Sequence, residues 1–284
     1  MKNVQIRISN NDNFIQQFGV LYSTFKNIDK MERVNFDLTA ARWLCPVIIL
    51  PIAAYITKTR STFVKTQNSS TDAYLDTIHF PKGINSVGEL EKAVPKGKTY
   101  VPISVLERDK GTERENLESM FSSLIYQLLG SIPGAQNAIY YPIAELVTNI
   151  FEHSRDEVGF IFGQYYPKKE YLDICIVDMG RGLAQAYKDE MNLTVSDGQA
   201  IEEVLKGQST KTLQERGYGI RTSKKVVCEG LNGEFVILSG TTALISSQSS
   251  EKLVSLPNFY WQGVVVSCRI PKPKGGIDIS GYLE

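Results

Sequence analysis

Histidine, cysteine and tryptophan are scarce in this chain of 284 residues, with two, four and two of each. Cys45, Cys175, Cys228 and Cys268 form no C-x-x-C pair. Only His79 and His153 can join them, which excludes the usual zinc spacings. Cys175 and Cys268 sit in apolar, strand-like runs, where a free cysteine behaves as a small buried hydrophobe. That usage points to a reducing compartment. Neither sign of charge is in excess, with 31 basic residues against 31 acidic ones. No overall basic surplus therefore argues for nucleic acid or an acidic membrane surface. The N-terminus has no apolar signal core. The most apolar run, Trp43 to Ile56, falls short of the ~20 residues of a spanning helix and holds Pro46 and Pro51. A cytoplasmic protein with no membrane or nucleic-acid partner is the expectation. Internal repeats and low-complexity segments are also lacking.

The length suits one large or two ordinary domains. Val4–Ile8 alternates like a strand, and Asn11 or Asp12 can cap a helix running to about Phe25. Arg33–Asp37 reads as a second strand. Pro46 stands where a helix can start, with Val47, Ile48, Leu50, Ala53, Ala54 and Ile56 inside. Thr77–Phe80 is expected as a strand, Ser86–Gly97 as loop or short helix, and Tyr100–Leu106 as a strand. This order suggests a small α/β domain over residues 1–107, ended by the charged connector Glu107–Glu115. Val34-Asn-Phe-Asp37-Leu-Thr followed by Ala41–Ile56 resembles a STAS-like domain, the module named after sulfate transporters and anti-sigma-factor antagonists. Family antagonists carry a phosphorylatable serine at the helix start. Here Trp43-Leu-Cys45-Pro46 has neither serine nor threonine, which argues against control of that kind.

Over 108–284 a helix is expected at about Arg114–Leu129, closing at Gly130-Ser-Ile-Pro133-Gly134. Next comes Glu145-Leu-Val-Thr-Asn149-Ile-Phe-Glu152-His153-Ser154. Ile143, Leu146, Val147, Ile150 and Phe151 make an apolar helical stripe. Glu145, Asn149 and His153 stand four apart on the other side. A carboxylate, an amide and an imidazole in one row can activate water, hold a metal and touch an anion, though a surface helix can carry the same polar row. Strands are expected at Gly159–Tyr166 and Tyr171–Val177. The second runs into Asp178-Met-Gly180-Arg-Gly182. An aspartate at a strand tip can accept a hydrogen bond from an exocyclic amine, and the glycines let backbone pass close to a flat ring. The stretch from about Ala184 to Arg216 is polar and interrupted, with a short helix expected at Gly198–Leu205. Within it, Ser209, Thr210 and Lys211 can reach phosphates if the segment is a lid; a solvated loop is the plainer reading. Arg216-Gly217-Tyr218-Gly219-Ile220 then opens a helix, whose N-terminus favours an anion. It is neither a Walker A loop nor a dinucleotide fingerprint.

This ordered set resembles the GHKL superfamily, the Bergerat-fold ATPases of gyrase, heat-shock chaperones, histidine kinases and mismatch-repair proteins. Glu145-x-x-x-Asn149 matches the N box, Asp178-x-Gly180-x-Gly182 the G1 box, and Arg216-Gly-Tyr-Gly219 the G2 box. The resemblance implies a two-layer α/β sandwich (α+β) with a mixed sheet, binding ATP and Mg²⁺. Asn149 would hold Mg²⁺ through its amide oxygen, and Glu145 would act as general base or orient the attacking oxygen. His153 would approach the phosphates or support Asn149. Asp178 would read the adenine amine, Gly182 would line the ring, and Gly217 and Gly219 would receive phosphate, with Tyr218 and Ile220 beside them. Many members end on a strand with Gly-Thr, whose hydroxyl helps the aspartate. Here Gly263-Val264 stands instead, and Thr241 or Thr242 is the expected substitute.

Only thirteen residues follow Pro271, so a transducing domain after the ATPase is not expected. No phosphoacceptor histidine precedes it on a helical hairpin. The nearest resemblance is therefore to the ATP-binding domains of anti-sigma-factor-type serine kinases, which act on a regulatory protein partner and in some cases as homodimers. Three readings stay open: an ATP-dependent protein kinase or ATPase, a nucleotide-gated binding switch with little turnover, and an α/β scaffold that binds no nucleotide.

Overall fold

A computed structural model describes the chain apart from residues 8–11, 66–69, 95–96, 131, 208–218 and 284. The N-terminal part is a β-α-β-α-β unit: β1 (Lys2–Gln5), α1 (Phe14–Phe25), β2 (Val34–Asp37), α2 (Pro46–Thr59) and β3 (Thr62–Val64). Its three strands are parallel in the order β1-β2-β3. Asn13 caps α1 by accepting from the Gln16 N–H. Phe14, Phe18, Leu21 and Phe25, at helical spacing, face inward. α2 starts with Pro46 in the first turn and is buried at every residue from Pro46 to Ile56. A helix apolar all round must be covered all round. Here the cover comes from α1 on one side and from strands of a second, larger sheet on the other.

α3 (Ser70–Thr77) and α4 (Val87–Ala93) lead to β4 (Tyr100–Glu107), then α5 (Gly111–Leu128) and α6 (Ala135–Asn149). β5 (Val158–Tyr166), β6 (Tyr171–Asp178), α7 (Leu183–Met191), α8 (Asp197–Leu205) and α9 (Gly219–Lys225) follow, then β7 (Glu234–Gly240), β8 (Thr242–Ser247), β9 (Ser250–Ser255) and β10 (Trp261–Pro271). The strands β4 to β10 form one seven-stranded sheet, ordered β4-β5-β6-β10-β7-β8-β9.

Each neighbouring pair in that sheet is antiparallel, which corrects the expected mixed sheet. The helical connection from β6 to β7 does leave these two strands pointing the same way. β10 then inserts between them and runs opposite to both.

Alternation along the strands divides the core. Phe160, Phe162, Cys175, Val177, Val236, Leu238 and Val265 face α2 and the N-terminal unit. Ile161, Leu172, Ile174, Ile176, Phe235, Ile237 and Val266 face α5, α6 and α9. The helices from α5 onward share one face of the sheet, the two layers expected of residues 108–284, and the N-terminal unit covers the other face as a third.

Two further expectations change. Thr77–Phe80 is the end of α3 and a turn, not a strand. Leu75 of α3 and Ile78 of the turn, three apart, are both buried, a helical period hidden in a short run. β4, expected in the first domain, hydrogen-bonds to β5 in the large sheet. Among the described residues no helix is long and apolar enough to cross a membrane.

Candidate functional site

α6 delivers Glu145 and Asn149 side by side, one turn apart. After Asn149 the helix widens into a π-helical turn, Ile150–Ser154, a distortion common at functional sites. His153 stands on this turn, beyond the end of α6. Its Nδ1 lies 3.7 Å from Glu190 Oε2 on α7. Gly219, the first residue of α9, presses on the same two side chains. A Cβ there would stand 2.4 Å from Glu145 Oε2 and 3.2 Å from Asn149 Nδ2. The Asn149 Nδ2 is buried without a hydrogen-bond partner among the described residues, a costly state for a buried polar atom.

Asp178 ends β6 and is 3% exposed. Burial pushes its carboxyl up to about 7. The nearby Asp156 carboxylate adds to the rise, while the backbone N–H groups of Gly180 and Val264 and the Lys58 ammonium oppose it. The Gly180 N–H bond to Oδ1 is 2.9 Å. Val264 thus serves Asp178 through its backbone, a contribution that survives the loss of a threonine hydroxyl.

The expected substitutes are engaged elsewhere. The Thr241 N–H and hydroxyl both donate to Asp197 Oδ2 at 2.8 Å, and Thr242 packs beside Gly198. The hydroxyl that reaches this loop belongs to Ser239, which pairs with Val264 across the sheet. It accepts from the Leu183 N–H at 3.0 Å and donates to the Gly263 carbonyl at 2.9 Å.

Close approach explains the glycines. A Cβ on Gly180 would meet the Ser154 carbonyl oxygen at 2.3 Å, and one on Gly263, at φ +99°, would meet the Asp178 carbonyl oxygen at 2.4 Å. Gly182 has φ +77°, a left-handed conformation that a side chain would strain. Arg181 N–H donates to the Ser154 carbonyl at 2.9 Å. The Arg181 guanidinium holds the His153 carbonyl at 2.6 Å, Asp189 at 3.0 Å, and Glu190. The end of α6 and the Asp178 loop are thereby fastened together.

Asp156 adds a second fastening that the sequence did not single out. Its Oδ2 accepts from the Met179 N–H at 3.1 Å, and its Oδ1 accepts from Lys58 Nζ on α2 at 2.8 Å. No motif marks Asp156 or Lys58, because 98 positions separate them. Gln262 is a further unmarked member, with Nε2 on the Gly180 carbonyl at 2.9 Å.

Three expected phosphate contacts, Ser209, Thr210 and Lys211, lie outside the described residues, as do Gly217 and Tyr218. Ile220 is 8% exposed and packs into the helical face of the core. The segment before them is more helical than expected. α7 fills its first third through Leu183, Ala186 and Tyr187, at a spacing that was readable in the sequence.

Oxygen donors at Glu145 and Asn149 suit a hard cation such as Mg²⁺. Among the described residues no cluster of three or more His, Cys, Asp or Glu could hold a metal ion. Any ion here would draw its remaining ligands from water and from a bound phosphate, the usual way Mg²⁺ is held in phosphoryl-transfer sites. Comparison with protein-family models, with curated proteins and with solved structures finds no match for this chain.

Proposed function

We propose that residues 108–284 bind ATP with Mg²⁺ in the manner of the GHKL superfamily, and that the chain is a cytoplasmic regulator with protein kinase or ATPase activity. The observation that carries this reading is the meeting of three separate motifs. Gly219 seats on Glu145 and Asn149, while the π-helical turn after Asn149 grips the Asp178-x-Gly-x-Gly loop through Ser154. A chain in which these motifs were chance matches has no reason to bring them together.

In this reading Asp178 accepts the adenine amine, Gly182 lines the ring, and Asn149 would hold the cation through its amide oxygen. A cation held there would supply charge neutralisation at the phosphates. Glu145 takes the proton from the attacking hydroxyl or water as its oxygen bonds to the γ-phosphorus and ADP departs. Ser209, Thr210, Lys211 and Gly217 are assigned to the phosphates from the sequence alone.

A second reading, a nucleotide-gated switch with little turnover, draws on the Lys58–Asp156–Met179 chain. That chain ties the Asp178 loop to α2, so nucleotide occupancy has a physical route to the N-terminal unit and to a regulatory partner.

ATP with Mg²⁺ is expected to raise the melting temperature of the full chain, since a ligand that binds only the folded state stabilises it. No shift at millimolar ATP sinks both readings. Glu145→Ala is expected to keep that shift and lose phosphate release or transfer. Equal turnover in wild type and Glu145→Ala removes the kinase and ATPase reading and leaves the switch.

A further inference from the structure

A cavity of about 430 Å³ opens at the other end of the large sheet, on the face covered by the N-terminal unit. Gln164 and Tyr166 of β5 contribute to it, and on the paired strand they stand opposite Asp173 and Tyr171. Asp178 pairs with Gly159, so five to seven positions of β5, roughly 20 Å at the usual strand rise, separate the cavity from the Asp178 loop. It therefore does not belong to the site described above, and its chemistry is independent of nucleotide binding.

Three features define that chemistry. The walls are aromatic: Trp43, Tyr74, Tyr100 and Tyr166 line it, with the Trp43 and Tyr166 rings 5.7 Å apart and tilted by 52°. The polar floor is fixed in advance. Gln164 is 7% exposed; its Nε2 donates to the Thr99 carbonyl at 2.9 Å, and its Oε1 accepts from the Tyr74 hydroxyl at 3.1 Å. The rim is cationic. Arg42 and Lys98 both line the cavity, no carboxylate does, and neither cation has a hydrogen-bond or ion-pair partner among the described residues. Asp173, the acid behind Tyr166, is taken up by Arg269 in a two-point pair at 2.7 Å.

Flat aromatic walls select a planar ring, and two unpartnered cations beside them select an anion. The volume lies within the range of small-molecule sites. From these observations we infer that the cavity is a binding site for a small planar molecule carrying one anionic group, held between the loop before α2, α3, the edge strand β4 and its neighbour β5. A ligand there touches the N-terminal unit and the large sheet at once.

Trp43 reports on the cavity, because the only other tryptophan, Trp261, is 1% exposed in the core. The test titrates the full chain with 2-naphthoate and with its neutral counterpart 2-naphthamide, following tryptophan emission. Saturable quenching by naphthoate is expected, absent in Trp43→Phe. Naphthamide, and naphthoate with Arg42→Ala/Lys98→Ala, are expected to bind about tenfold or more weakly, the scale of one lost charge-assisted hydrogen bond. Arg42 and Lys98 are exposed, so the double variant keeps the fold, which its melting temperature checks. Equal affinity for naphthoate and naphthamide overturns the inference, as does unchanged binding in the double variant or no saturable binding at all. Loss of the quenching in Asp178→Asn places the ligand in the other site and overturns it too.

Discussion

Asp178 is an acid placed where water cannot reach it, and its protonation sets two pH dependences of opposite sign. In the folded protein its carboxyl is pushed up to about 7, against an ordinary value of 3.8. Between those values the folded state holds a proton that the unfolded chain has released. Its contribution to stability is therefore full at the acid end and is lost as pH rises through about 7. Asp178→Asn is expected to flatten that part of the stability profile, measured by chemical denaturation across pH. Nucleotide affinity should run the other way. An ionised oxygen is the stronger acceptor for an amine, so ATP affinity is expected to rise as pH passes about 7, and Asp178→Asn to abolish that rise. A flat affinity profile would remove Asp178 from adenine reading.

The glycines make a second test at this scale, because what each would strike differs. Gly180→Ala meets the Ser154 backbone, which has nowhere to go, and overpacking of this kind costs about 1–3 kcal/mol. Gly219→Ala meets the far end of Glu145, which can swing away. Its expected cost to stability is smaller, below about 1 kcal/mol, because a flexible side chain relieves the overlap. Its cost to turnover is expected to be large, since the displaced group is the assigned base. Denaturant midpoints and phosphate-release rates of the two variants check the contrast.

At the scale of elements, the sequence was most legible where period and punctuation agreed. α1, α2, α5, α6, β5, β6 and β10 stand close to their expected places, because each is a long periodic run bounded by a cap, a proline or a charged turn. Elements without such agreement were misread. α3 buries only Asp72 and Leu75, too few apolar positions to show a helical period beside the strand-like Ile78-His79-Phe80. The antiparallel neighbours of β6 and β7 could not be read either, since β10 reaches its slot from more than twenty residues beyond β7. The candidate site was legible as three motifs, and their meeting through Gly219 and Ser154 agrees with the order of the sequence. Its fastenings were not: Asp156, Ser239 and Lys58 are ordinary polar residues whose partners are remote. The π-helical turn is the plainest case. Four-residue spacing placed His153 in the row of Glu145 and Asn149 on a regular helix, and nothing in that spacing showed the change of pitch at Ile150–Ser154.

At the scale of the molecule, the two units expected from the sequence share one apolar core. Ile6, Phe25, Phe36, Ile48 and Ile52 belong to the same buried cluster as Phe162, Val177, Leu238 and Trp261. Phe25, Tyr55 and Trp261 pack ring against ring, with centroids 5.2–6.5 Å apart. A buried pair adds direction to this contact. Arg269 of β10 grips Asp173 of β6 at two points and also the Gln17 amide oxygen of α1 at 2.9 Å, while its plane lies 3.9 Å from the Tyr171 ring. Asp173→Asn leaves the guanidinium buried without its counter-charge, and breaking such a pair costs about 3–5 kcal/mol. If the units fold as one body, that loss lowers a single transition. Circular dichroism and the emission of Trp261, which touches both units and is isolated in a Trp43→Phe background, should then report the same midpoint with and without Asp173→Asn. Ile48→Ala, which opens a cavity within α2 at ~2–5 kcal/mol, should move both probes together as well. Two separated midpoints in either variant would show that the shared core is an interface between independently folding units. The Lys58–Asp156 contact would then be a hinge contact, open to change when the Asp178 loop moves.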